Sequence, residues 1–127
     1  MMKSLKYLFL LVDIGFILYW LITLLKLIPA EYLYSDYNNP MMVDWNWSFL
    51  PLDLFISFTG LMSVHQYNKS DKSWEKWALM SLVLTFTSGL QAISFWALRG
   101  DFDLTWWLFN GFLMIYPFFY LPRFIKS

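Results

Sequence analysis

Of 127 residues, 59% are apolar, 23% aromatic and 14% charged, against about 45–50% apolar and about 25% charged in an ordinary soluble domain, so this is the composition of a chain solvated by lipid. Nine Lys and Arg balance nine Asp and Glu, which leaves no basic surface for phosphate contacts and excludes nucleic acid as a partner class. There is no cysteine, so disulfides, thiolate chemistry and Cys-based metal sites are excluded, and no cofactor motif takes their place.

Four apolar runs, Leu5 to Leu27, Phe49 to His65, Trp77 to Leu98 and Leu104 to Phe124, each come near the roughly 17–25 residues that a helix needs to cross about 30 Å of hydrocarbon. They predict an all-α protein: one domain over residues 1–127, built as a transmembrane four-helix bundle. The first run follows Lys3 and Lys6 as a secretory signal would. It is longer than a signal's apolar core and has no small-residue cleavage site after it, so it is expected to stay as a helix.

Within that helix Asp13 stands between Leu8 to Val12 and Ile14 to Leu18. It is too deep and too short to reach the interface. A central Asp costs about 2.5–3.5 kcal/mol on insertion scales, which the surrounding Leu, Ile and Phe offset. The carboxyl must then face the bundle, either as a structural hydrogen-bonding group or as a proton or cation site.

Residues 28–48 are expected to form a long external loop rich in aromatics, including Tyr32, Tyr34, Tyr37, Trp45 and Trp47. Rings with one polar edge favour headgroup depth, so the loop is read as an interfacial anchor or a lid. At the start of the second helix Ser48 reads as the N-cap and Pro51 as a first-turn residue. Asp53 then completes the helix's outer end or points into the bundle, with Ser57 and Gly60 continuing its face.

The third run carries a polar stripe of Ser81, Thr85, Ser88 and either Gln91 or Ala92, with Gly89 open to a close neighbour; such a stripe is the ordinary glue of membrane helices. Gln91 is the expected partner for a buried carboxyl, because an amide needs hydrogen bonds in hydrocarbon. In the fourth run Asp101 and Asp103 read as a helix start, and Asn110 joins the interior polar set. Trp106 or Trp107 shares its face, and Pro117 is expected to bend the helix. The one histidine, His65, has no second histidine to make a metal set.

Seven of the nine cations, Lys3, Lys6, Lys69, Lys72, Lys76, Arg123 and Lys126, fall on one side of the predicted spans, leaving Lys26 and Arg99 on the other. The positive-inside rule therefore places both termini in the cytoplasm.

The runs Asp13-Ile14-Gly15-Phe16 with Tyr19-Trp20, Asp44-Trp45-Asn46-Trp47-Ser48-Phe49 leading to Pro51-Leu52-Asp53-Leu54, and Gly89-Leu90-Gln91-Ala92-Ile93-Ser94-Phe95-Trp96 resemble the YvaD-like family of small bacterial membrane proteins. The resemblance covers nearly the whole chain and implies a four-helix protein of a Gram-positive plasma membrane. That family has no established activity, so no functional residue is carried over.

The residues leave several functions open. The first is a multi-pass protein that binds or transports a lipophilic or cationic small molecule, using Asp13, Asp53, Gln91 and Asn110 as the polar set and Trp20, Trp96, Trp106 and Trp107 as aromatic walls. Transport would call for a homodimer. The second is an accessory or structural protein whose buried polar groups only fix helix packing and whose external loop meets a membrane-protein partner. Two acids alone support a third, an enzyme using one carboxyl as acid and the other as base.

Overall fold

The computed structural model describes residues 3–26 and 38–126, so residues 28–37 of the predicted external loop, with Tyr32, Tyr34 and Tyr37, lie outside the described residues. Its elements are α1 (Lys3–Leu25), α2 (Pro40–Asn68), α3 (Trp74–Arg99), α4 (Leu104–Ile115), a 3-10 turn (Tyr116–Phe119) and α5 (Leu121–Lys126). Four helical stretches among the described residues are long and apolar enough to cross a membrane, the fourth running from Leu104 to Lys126 through the 3-10 turn.

The second helix begins at Pro40, nine residues before the predicted start at Phe49, so residues 40–48 are helix and not loop. The reason lies in Asn39 and Pro40. The Asn39 Oδ1 accepts from the Met41 N–H at 3.0 Å, and Pro40 fills the first turn, where a missing N–H costs nothing. Ser48 is no cap: its hydroxyl donates to the Trp45 carbonyl at 2.6 Å inside the helix. Pro51 sits mid-helix with its ring on the exposed side, and Asp53 is therefore an interior residue of a long helix.

The other ends follow local chemistry. Between α2 and α3, the Asp71 Oδ1 accepts from the Ser73 N–H at 2.9 Å, and this bond holds the exposed carboxyl below its ordinary range. That contribution is present above the ordinary carboxyl range and is lost as pH falls through the lowered value. Helix α3 stops at Gly100, whose φ of +70° suits a residue without a Cβ. The Gly100 and Asp101 N–H groups donate to the Ala97 and Trp96 carbonyls and close the last turn. Helix α4 starts, as expected, on Asp103, which accepts from the Trp106 N–H at 3.3 Å. At Pro117 the α-helix gives way to the 3-10 turn.

Consecutive helices pack in order, α1 on α2, α2 on α3 and α3 on α4. The small and hydroxyl residues of the predicted stripe lie inside. Ser81 donates to the Ile56 carbonyl of α2 at 3.2 Å, Ser57 to the Asp13 carbonyl of α1 at 2.8 Å, and Ser63 to the Trp74 carbonyl of α3 at 2.9 Å. The outward faces are Leu, Ile and Phe, among them Leu18, Leu24, Phe55, Phe58, Leu98 and Leu108. A surface of this kind, enclosing hydroxyls, matches a hydrocarbon solvent.

The two ends of the bundle differ. At the end holding Lys3, Lys6, the α2–α3 turn and α5, which we call the basic end, Leu5, Phe9, Ile56, Leu82, Leu113, Leu121 and Phe124 form a closed core. Here α1 meets the fourth span, and the Tyr120 hydroxyl reaches the Ser4 Oγ at 2.9 Å. Towards the opposite end a smaller apolar cluster of Met42, Ala92 and Trp96 packs, and α1 and α4 part.

Gly89 fixes the α3–α4 distance. A Cβ there would stand 2.6 Å from the Asn110 carbonyl oxygen and 2.7 Å from the Met114 nitrogen. Gly89→Leu is expected to destabilise the fold by about 1–3 kcal/mol or more, since backbone must move. Gly111→Leu, at a position where an added Cβ meets nothing within 4 Å, is expected to be neutral. Thermal unfolding of the two detergent-solubilised variants, followed by circular dichroism, checks the contrast.

Candidate functional site

Where α1 and α4 part, the bundle holds a cavity of about 620 Å³, within the range of about 300–1,000 Å³ usual for small-molecule sites. All four long helices line it. Helix α1 presents Phe16, Tyr19 and Trp20; α2 presents Trp45, Asn46 and Asp53; α3 presents Ser88 and Trp96; α4 presents Trp106 and Asn110. Among the described residues on this wall Asp53 is the only charged one.

Asp53 is 4% exposed and is gripped from two sides. Its Oδ2 accepts from Trp20 Nε1 of α1 at 2.9 Å, and its Oδ1 accepts from the Ser88 hydroxyl of α3 at 3.4 Å. The carboxyl thus joins three helices at one point. Rings surround it: Trp20 lies 5.0 Å edge-on from Tyr19 and 5.3 Å from Trp47, while Tyr19 meets Trp106 of α4 at 6.1 Å. Seven residues before Asp53, two helical turns along the same face of α2, Asn46 accepts from the Tyr19 hydroxyl at 3.0 Å. The Asn46 Nδ2 is buried with no hydrogen-bond partner among the described residues. Asn110 donates to the Trp106 carbonyl one turn earlier at 2.9 Å.

The polar set expected from the sequence is divided by this geometry. Asp53, Asn110, Trp20, Trp96 and Trp106 share the cavity wall. Trp107 instead packs beside the small cluster and donates to the Asp101 carbonyl at 2.8 Å. Gln91 is exposed, because the inward face of α3 runs through Ser81, Thr85, Ser88 and Ala92 and leaves Gln91 about 100° to one side. It partners no buried carboxyl. Asn46 and Tyr19 were missed as site residues: only the early start of α2 turns Asn46 inward, and nothing local in the sequence marks that start beyond Asn39-Pro40.

Asp13 is not on the cavity wall. It is 1% exposed, both carboxyl oxygens are buried without a hydrogen-bond partner among the described residues, and its carboxyl lies directly over Gly60 of α2. A Cβ at Gly60 would overlap the carboxyl, coming within 2.7 Å of its Cγ. Asp13 and Asp53 therefore occupy separate environments, one against Gly60 and the other on the cavity wall.

With this geometry in view, the comparisons with known proteins give the lineage. The profile described as "Family of unknown function (DUF5360)" matches residues 5–127. This chain belongs to the DUF5360 family. It is also 51% identical, over 99% of its own length and 95% of the relative's, to the "Uncharacterized protein YvaD" of Bacillus subtilis (strain 168), in agreement with the resemblance drawn from its aromatic motifs. No solved structure matches it.

The Asp13–Gly60 contact supplies a direct test of packing. Gly60→Ala is expected to cost about 1–3 kcal/mol by overpacking, and most of that loss should return in the double variant Asp13→Ala with Gly60→Ala. Unfolding free energies of the four proteins in mixed micelles, arranged as a cycle, measure the coupling. Additive effects of the two substitutions would contradict the contact.

Proposed function

We propose that this chain is a plasma-membrane protein with cytoplasmic termini that binds a lipophilic organic cation in the cavity between α1 and α4, with Asp53 as the anionic contact. The observation that carries the reading is the single carboxyl on a wall of Tyr and Trp rings. Such a wall favours a cation twice over: the ring faces are electronegative, and a positive ligand brings the counter-charge that the wall lacks. The apolar remainder of the cavity favours a ligand whose cationic group is attached to hydrocarbon. Orientation rests on the seven cations gathered at the basic end, which puts the cavity in the outer half of the bilayer. Asp13, sealed against Gly60, serves packing in this reading and takes no part in ligand contact. Four helices enclose one cavity, so carriage across the membrane would require a second copy; binding is the function we put forward.

The Trp20 and Ser88 bonds to Asp53 also favour a second reading, in which the carboxyl only ties three helices together. Binding of benzyltrimethylammonium to the protein in nanodiscs separates the two. Wild type is expected to bind and Asp53→Asn to lose at least about tenfold in affinity, while Asp13→Asn keeps wild-type affinity. No binding by wild type, or equal binding by Asp53→Asn, would leave Asp53 as a structural tie.

A further inference from the structure

The cavity does not end at Asp53. Along α1 it continues past Phe16 to Gly15 and Leu11, and along α4 past Phe109 to Phe112. From Trp20, which holds Asp53, to Leu11 is nine residues, or about 13.5 Å along the helix axis. This lower stretch is open sideways: Leu11 is 68% exposed, Phe109 44% and Phe112 41%, and a side chain built at Gly15 would meet nothing within 4 Å. Helices α1 and α4 bridge the gap here by a ring pair, Phe16 edge-on to Phe109 at 6.2 Å, and not by close backbone packing. The wall therefore has its carboxyl towards the loop end of the bundle and a purely apolar groove running towards the middle.

We infer that the ligand is a single-chain amphiphile of the bilayer itself, a long-chain amine or quaternary ammonium, which enters sideways between α1 and α4 with its cationic head at Asp53 and its alkyl chain in the groove of Leu11, Gly15, Phe109 and Phe112. This rests on the binding function proposed above and adds the substrate class and the route. The polarity of the groove matches that of a lipid in the outer leaflet, head outward and chain towards the mid-plane, so such a molecule slides in without turning over.

Blocking the groove while sparing the head site tests the inference. Binding of dodecyltrimethylammonium and of benzyltrimethylammonium, which share a head but not a chain, is measured in nanodiscs of zwitterionic lipid for wild type, Gly15→Phe, Leu11→Trp and the control Gly111→Phe. Gly15→Phe and Leu11→Trp are each expected to weaken the dodecyl ligand at least about tenfold and the benzyl ligand by less than about threefold; Gly111→Phe should change neither. Two groove variants approached from different positions guard against one of them failing to fold. If both ligands keep wild-type affinity in both groove variants, or lose it equally, the groove does not hold the chain and the inference falls while Asp53 remains a cation site. If wild type binds neither ligand, the binding function itself falls.

Discussion

A helix bundle surrounded by hydrocarbon cannot be held together by moving apolar side chains out of water, because the surroundings are as apolar as the side chains. Everything that closes this bundle follows from that constraint. Neighbours come close where a residue has no side chain: the α4 backbone at Asn110 and Met114 approaches Gly89, and the Asp13 carboxyl fits over Gly60. Hydroxyls reach across from one helix to a carbonyl of the next, as Ser57 does to Asp13 and Ser81 to Ile56. Beyond the core at the basic end, many Leu and Phe side chains, such as Leu18, Phe55, Phe58 and Leu98, are spread over the outside.

The same constraint explains why the cavity lies where it does. Small residues line the seams of α1 with α2, α2 with α3, and α3 with α4, but α1 and the outer part of α4 face each other through Phe16, Tyr19, Trp106 and Phe109. Large rings keep those two backbones apart. At the basic end Pro117 turns the fourth span into a 3-10 segment, and its continuation brings Tyr120, Leu121 and Phe124 onto the start of α1. One seam is therefore shut at one end and held ajar by aromatic rings at the other, and the cavity is the space left between.

Much of this was legible in the residues themselves. The four apolar runs, the Asp103 start, the change at Pro117 and the close approach at Gly89 all follow from local chemistry: run length, an acid before the first turn, a ring in place of an N–H, a missing Cβ. What was hidden depended on phase and on ends. Ser48 and Pro51 imitate a helix start, yet Asn39 and Pro40 make a better one, and only with that earlier start does Asn46 belong to the helix that lines the cavity. Gln91 and Ala92 sit at adjacent steps of one stripe, and the choice between them is set by how α2 and α4 bracket α3, a property of the assembled bundle. The division of Asp13 from Asp53 is of the same kind, since both are acids in apolar helices and only their neighbours tell them apart.

That division bears on what a buried acid means in a membrane helix. Insertion penalises either carboxyl by a similar amount, so the penalty alone says nothing of role. Asp53 recovers part of it through two donors from other helices, Trp20 Nε1 and the Ser88 hydroxyl, and still keeps a face on an open cavity. Asp13 has no donor among the described residues and lies off the wall of this cavity; its carboxyl rests over Gly60. A carboxyl that is both held in place and open to a ligand can recognise a charge, because its geometry is fixed before the ligand arrives and little ordering is left to be done on binding. A carboxyl with neither donor nor opening has no such preset geometry for a charged ligand. Depth in the sequence singled out Asp13, but donors and access distinguish the two acids, and by that measure the acid at the junction of three helices is the one we propose as the cation contact.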